Sequence, residues 1–151
     1  MSDRARDASG RPRQDRPRDA LGRPVPHGDP RAVPPVPERA LPPAEALSGA
    51  QALLDAGRAF SAHEVLEAVW KAAPPPERDL WQGLAQVCVA VTHRQRRNPA
   101  GTAALAARAA RRLAAYSAGR PYGVNVAALV WFCAALAADP TDPRAVPRLG
   151  G

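Results

Sequence analysis

The sequence predicts an all-α domain, a compact bundle of about five helices joined as antiparallel hairpins by short loops, preceded by a disordered Pro/Arg-rich N-terminal extension. Three observations carry this reading. The period-2 alternation of β-branched residues that marks a strand is missing. Apolar residues recur instead at helical spacing between proline and glycine breaks. The composition is also divided, with all seven aromatic residues after position 59 and ten of the eighteen prolines in the first 43 residues. A segment with no aromatic side chain and a proline about every four positions buries too little apolar surface to offset its ordering entropy. The expected division is a disordered leader over residues 1–43, an all-helical domain over 44–140 and a short flexible tail over 141–151.

Each helix has its own punctuation. Pro42-Pro43 precede an alanine and leucine pattern through Leu53, Leu54 and Ala56, and Gly57 ends this first helix. Ser61 and Glu64 stand in capping-box spacing, with Phe60 and Val65 as the apolar staple, so the second helix is expected to open at Ser61 and run to about Ala73. Three prolines at 74–76 break it, and a third helix starts in the run Glu77-Arg78-Asp79 and continues to about Arg97. Asn98-Pro99 reads as a cap followed by proline at the first helical position, which opens a fourth helix to about Ala118. Gly119-Arg120-Pro121 closes that helix, Tyr122 and Gly123 make a turn, and Asn125 caps a fifth helix ending at Asp139-Pro140.

The net charge of +7 invites a nucleic-acid reading, but twenty of the twenty-one basic residues are arginine, beside heavy use of alanine, proline and glycine, the pattern of high-GC coding. Basic residues outnumber acidic ones nine to six before position 44, ten to seven over 44–140 and two to one after it, so no segment concentrates the charge. An excess spread this thinly gives solubility and weak polyanion attraction, not a dedicated groove. The basic surface it could form comprises Arg94, Arg97, Arg108, Arg111 and Arg112. Gly10-Arg11-Pro12 and Gly22-Arg23-Pro24 resemble the core of minor-groove hooks, but Ser9 and Leu21 stand where the preceding arginine would be. Cys88 and Cys133 lie in apolar helical patterns without metal-ligand spacing, as buried free thiols of a reducing compartment do. No targeting segment is visible, and the longest apolar run, Val126 to Ala138, is short of the ~17 to 25 residues that span a bilayer. A soluble cytoplasmic protein is expected.

Candidate chemistry falls on the second and third helices. At 100° per residue, Ala62, Val65, Leu66, Val69 and Ala73 share one arc of the second helix, with Trp70 at its edge and His63 and Glu67 just past it. His63 and Glu67 are i and i+4 neighbours, so their side chains can touch. The third helix has an apolar arc of Leu80, Trp81, Leu84, Val87, Cys88 and Val91 and a polar stripe of Asp79, Gln82, Gln86 and His93, which predicts a central position. An antiparallel register places Glu67 opposite Gln82 and Gln86, while His93 lies ~7 to 8 Å farther along, near Arg58. The expected cluster is therefore His63, Glu67, Gln82 and Gln86, with Glu64, Trp70 and His93 as its extension.

The segments Gly57 to Trp70 and Asp79 to Pro99 resemble a bacterial family known as domain of unknown function 309. Its signature joins a His-Glu-x-x-Glu run followed by tryptophan to a Gln-Gly-x-x-Gln run ending in histidine. The match falls on His63, Glu64, Glu67 and Trp70, then Gln82, Gly83, Gln86 and His93, with Gly57, Phe60 and Asn98 in support. The resemblance covers about residues 44–138 and implies a small all-helical domain. It supplies no activity.

The cluster has two readings, a satisfied polar contact that fixes helix pairing or a ligand site. The zinc motif His-Glu-x-x-His fails at Glu67, and the third helix offers no carboxylate beyond Asp79, which excludes a four-glutamate di-iron bundle. No nucleophile has a paired base, and no glycine loop cradles phosphate. The reading thus leans away from an enzyme and assigns no cofactor or metal. The order helix, glycine, aromatic, helix, proline break is similar to the tetratricopeptide hairpin, and such hairpins hold peptides or partner helices. The expected function is a non-catalytic protein or peptide interaction module with no membrane contact. A small-ligand or metal-linked acid/base site at His63, Glu67 and Gln86 is the second reading, and weak nucleic-acid binding through the arginines is the third.

Overall fold

A computed structural model describes residues 16–143 and 145–150. Five helices form the bundle: α1 (Pro43–Asp55), α2 (Ala59–Ala72), α3 (Pro75–Gln95), α4 (Pro99–Leu113) and α5 (Val126–Ala138). Short 3-10 turns follow α4 at Ala114–Tyr116 and precede α5 at Pro121–Gly123. Among the described residues the only extended pairing is one antiparallel bridge, Arg18 with Pro24. Each helix packs on the next in chain order, and α3 lies between α2 and α4. It is buried on both sides through Leu80, Trp81, Leu84, Val87, Cys88 and Val91, the central role its two stripes predicted. Gly83 lets α4 come close, because a β-carbon there would lie 2.7 Å from Leu113 Cδ2.

The corners before α2 and α4 are built alike. Arg58 N–H donates to Leu53 O at 2.8 Å and Gly57 N–H to Leu54 O at 3.0 Å, the paired bonds of a Schellman turn with Gly57 at φ 76°. After α3, Asn98 N–H donates to His93 O at 2.9 Å and Arg97 N–H to Arg94 O at 3.0 Å, with Arg97 at φ 58° in the place of the glycine. Asn98 then caps α4, accepting from Gly101 N–H at 3.1 Å, and Asn125 caps α5 from Ala128 N–H at 3.1 Å, both as expected.

Two helix starts differ from expectation. The capping box is absent, because the Gly57 corner delivers the chain into α2 at Ala59, earlier than Ser61. Ser61 is therefore inside the first turn, where its hydroxyl accepts from Arg58 Nη2 at 3.1 Å, and Glu64 is a mid-helix residue. Likewise α3 opens inside the proline triplet at Pro75, since prolines in a first turn lack only N–H groups that have no intrahelical partner.

The described part of the leader makes specific contacts. Residues 16–43 pack on the bundle as a strap, while 1–15 lie outside the described residues. Asp19 makes a turn whose carboxylate accepts from Leu21 and Arg23 N–H, at 3.0 and 2.9 Å. Gly22 at φ 79° lies against the Phe60 ring, Arg96 Nε donates to Leu21 O at 2.7 Å, and Arg58 Nη2 donates to Pro34 O at 2.6 Å. Val25 is buried. Proline-rich chain lowers the entropy to be lost, and these side-chain bonds to backbone carbonyls replace the missing aromatic core.

The described part of the tail also makes contacts. Leu149 is fully buried, and Gln51 on α1 clamps it, accepting from Leu149 N–H at 2.8 Å and donating to Pro147 O at 3.2 Å. Residues 144 and 151 lie outside the description.

Candidate functional site

The expected cluster separates into distinct contacts. On α2, His63 Nε2 lies 3.0 Å from Glu67 Oε2, and Lys71 Nζ lies 3.1 Å from Glu67 Oε1, so one carboxylate is gripped from both sides along a single stripe. His63 Nδ1 is 3.2 Å from Phe60 O, so each ring nitrogen faces an acceptor. The bond from His63, aided by Lys71, holds the Glu67 carboxyl at about 2 against the opposing effect of burial.

Gln86 is elsewhere. Its amide oxygen accepts from Arg112 Nε at 3.3 Å, and Arg112 Nη1 donates to Asp79 Oδ1 at 2.5 Å, so Asp79 and Gln86 join α3 to α4. Among the described residues no hydrogen bond links Gln86 or Gln82 to His63 or Glu67. The expected register assumed that the whole polar stripe of α3 faces α2, but Gly83 draws α4 onto that side. His93 accepts from Asn98 Nδ2 at 3.1 Å and fits under Gly101, where a β-carbon would be 2.6 Å from its Nδ1. Burial and the neighbouring Arg96 lower the His93 pKa, favouring the neutral ring that this corner uses. Trp70 is half-buried against the core, and Trp81 is buried with its indole N–H 3.4 Å from Glu77 Oε1.

Glu64 faces a cleft of about 360 Å³ between α2 and the strap, lined among others by Arg18, His27, Val36, Glu38 and Ser61. Burial raises its carboxyl pKa, opposed by the charges of His63 and Arg18. Among the described residues no three His, Cys, Asp or Glu side chains are grouped to hold a metal ion. Of the candidate basic surface, Arg97, Arg108 and Arg111 are exposed, Arg94 is half-buried and already partnered, and Arg112 is held by Asp79 and Gln86. The first Gly-Arg-Pro core lies outside the described residues, and in the second Gly22 is turned inward on Phe60.

An open groove of about 660 Å³ lies between α5 and the C-terminal segment. Arg120, Leu129, Trp131, Phe132, Val146 and Arg148 help to line it. Trp131 is 69% exposed, and all thirteen residues of α5 are apolar. The sequence marks Val126–Ala138 both as the fifth helix and as an apolar run too short to span a bilayer. A helix that is apolar all round needs cover on every side, and that signal was present.

Fold and site together define a small all-helical domain in which α2 and α3 carry the His-Glu-x-x-Glu and Gln-Gly-x-x-Gln runs. Residues 47–105 match the family described as Domain of unknown function (DUF309), and this segment contains every motif residue from Gly57 to Asn98. The chain is also similar to Uncharacterized protein YpuF of Bacillus subtilis (strain 168), 44% identical over 57 residues that make up 37% of this chain and 33% of that protein. The match thus spans about a third of the relative's length. No solved structure matches.

Proposed function

We propose that the domain is a non-catalytic protein-interaction module whose motif residues brace the helices and whose contact surface is the outer face of α5. The observation that carries this reading is Trp131, a large aromatic left 69% exposed on a helix without one polar side chain. Tryptophan is the residue most often found at the energetic centre of protein interfaces, and exposed apolar patches of this kind mark them. In support, several polar groups of the motif are spent internally: Glu67 on His63 and Lys71, Gln86 on Arg112, His93 on Asn98.

The test places a photo-crosslinking amino acid at position 131, or at Arg108 as an exposed control on α4, in the full chain inside its own cells. Discrete protein adducts from position 131 and none from 108 are the expected result. Equal adducts from both sites, or none from 131, would overturn it. A ligand at the Glu64 cleft is a second reading, favoured by the half-buried carboxyl there. Its signature would be a small molecule retained in native mass spectra and lost in Glu64→Gln.

A further inference from the structure

Resting on the α5 surface just described, we infer that its partner is an acidic peptide segment that inserts an apolar side chain beside Trp131. The groove has an apolar floor of Leu129 and Phe132 and an apolar wall of Trp131 and Val146, so a partner gains most by burying hydrocarbon and ring surface there. Its rim decides the charge of that partner. Arg120 stands at one edge with no ion pair among the described residues, and Arg148 is 76% exposed with only a long 3.9 Å contact to Asp55. Asp142, the acid on the rim, is already partnered. Two guanidiniums around an apolar floor complement carboxylates flanking an apolar anchor, and exposed arginines form bidentate pairs with them.

The same features argue against the other occupants. A second copy meeting face to face would set Arg120 and Arg148 of one protomer against the same residues of its partner, a like-charge contact. A flat anionic membrane surface would touch Trp131 but leave the groove unfilled, whereas a chain segment fills a cleft of this volume.

The experiment uses two labelled amphipathic peptides with the same leucine and phenylalanine stripe, one with glutamate and aspartate on its polar face, the other with lysine and arginine. Binding to the full chain is read by fluorescence anisotropy. The acidic peptide is expected to bind at least ~10-fold more tightly than the basic one, and to weaken as salt rises. Trp131→Ala should weaken it by at least ~10-fold with the thermal midpoint unchanged, and Arg120→Glu with Arg148→Glu should reverse the preference. Equal binding, or preference for the basic peptide, overturns the inference. So does a sedimenting dimer that Trp131→Ala dissolves, or binding to phosphatidylglycerol vesicles without binding to the acidic peptide. Adducts from position 131 without peptide preference would leave the α5 surface standing and remove only the acidic partner. Absence of both would remove the two readings together.

Discussion

Gly22 rests on the ring of Phe60, so closely that a β-carbon at position 22 would overlap it. Arg18 lies over the same ring at 5.0 Å from its centre and Arg96 at 5.7 Å, so this contact fastens the strap to the corner of α2 and α3. Gly22→Ala adds both that overlap and a left-handed residue costing about 1 to 2 kcal/mol. The expected outcome is a released strap on an intact bundle. Hydrogen exchange checks it: the Val25 and Val33 amides, bonded to Pro17 O and Arg18 O, are slow in the native chain and fast in the variant. Fast exchange at both positions in the native chain would contradict docking.

The two Schellman corners make opposite predictions. Gly57 already suits its positive φ, so Gly57→Ala should lower stability by about 1 kcal/mol. Arg97 occupies the equivalent place at φ 58°, so Arg97→Gly should raise stability by about 0.5 to 1 kcal/mol after the entropy of glycine is counted. Thermal melts should show midpoints moving in opposite directions, by about 2 to 4 °C each.

Gly83 joins α3 to α4, and Gly83→Ala should destabilise even though alanine favours a helix by about 1 kcal/mol. The added carbon meets the buried Leu113 at 2.7 Å, and overpacking at such a contact costs about 1 to 3 kcal/mol. A melting midpoint that rises would show that α4 yields without strain.

Glu67 sets a pH dependence. Its folded-state pKa, about 2, is below the ordinary value of 4.5, so its contribution is fully present above about pH 4.5 and is lost as pH falls through 2. The side chain is 32% exposed, so solvent screening reduces that contribution to about 0.5 to 1 kcal/mol. Glu67→Gln should therefore be less stable than the native chain at pH 7, with the difference shrinking as pH falls from about 4.5 through 2, as read from denaturant unfolding at each pH. A difference that stays constant over that range would contradict the ion pairs.

Local signals were legible in the sequence wherever one residue type decides a turn. Gly57, Asn98-Pro99 and Asn125 marked helix ends correctly, because positive φ and side-chain capping are chemistry of single residues. The i to i+4 contact of His63 with Glu67 was legible for the same reason. What was not legible depended on tertiary placement. Gln86 went to Arg112 because α4 approaches at Gly83, a contact that spacing within one helix does not encode. The strap was hidden by its proline content, although Asp19 followed by Gly22 is a turn signal, and its stability comes from Arg58 and Arg96, far along the chain.

The central claim is that the motif braces the hairpins while α5 makes the contact. Its most direct test is a two-dimensional NMR titration of the ¹⁵N-labelled full chain with the acidic peptide. Amide shifts are expected at Asn125, Leu129, Trp131, Phe132, Val146 and Arg148, with His63, Glu67 and Lys71 unmoved. Shifts centred on His63, Glu64 and Glu67, or none at a peptide excess, would contradict it.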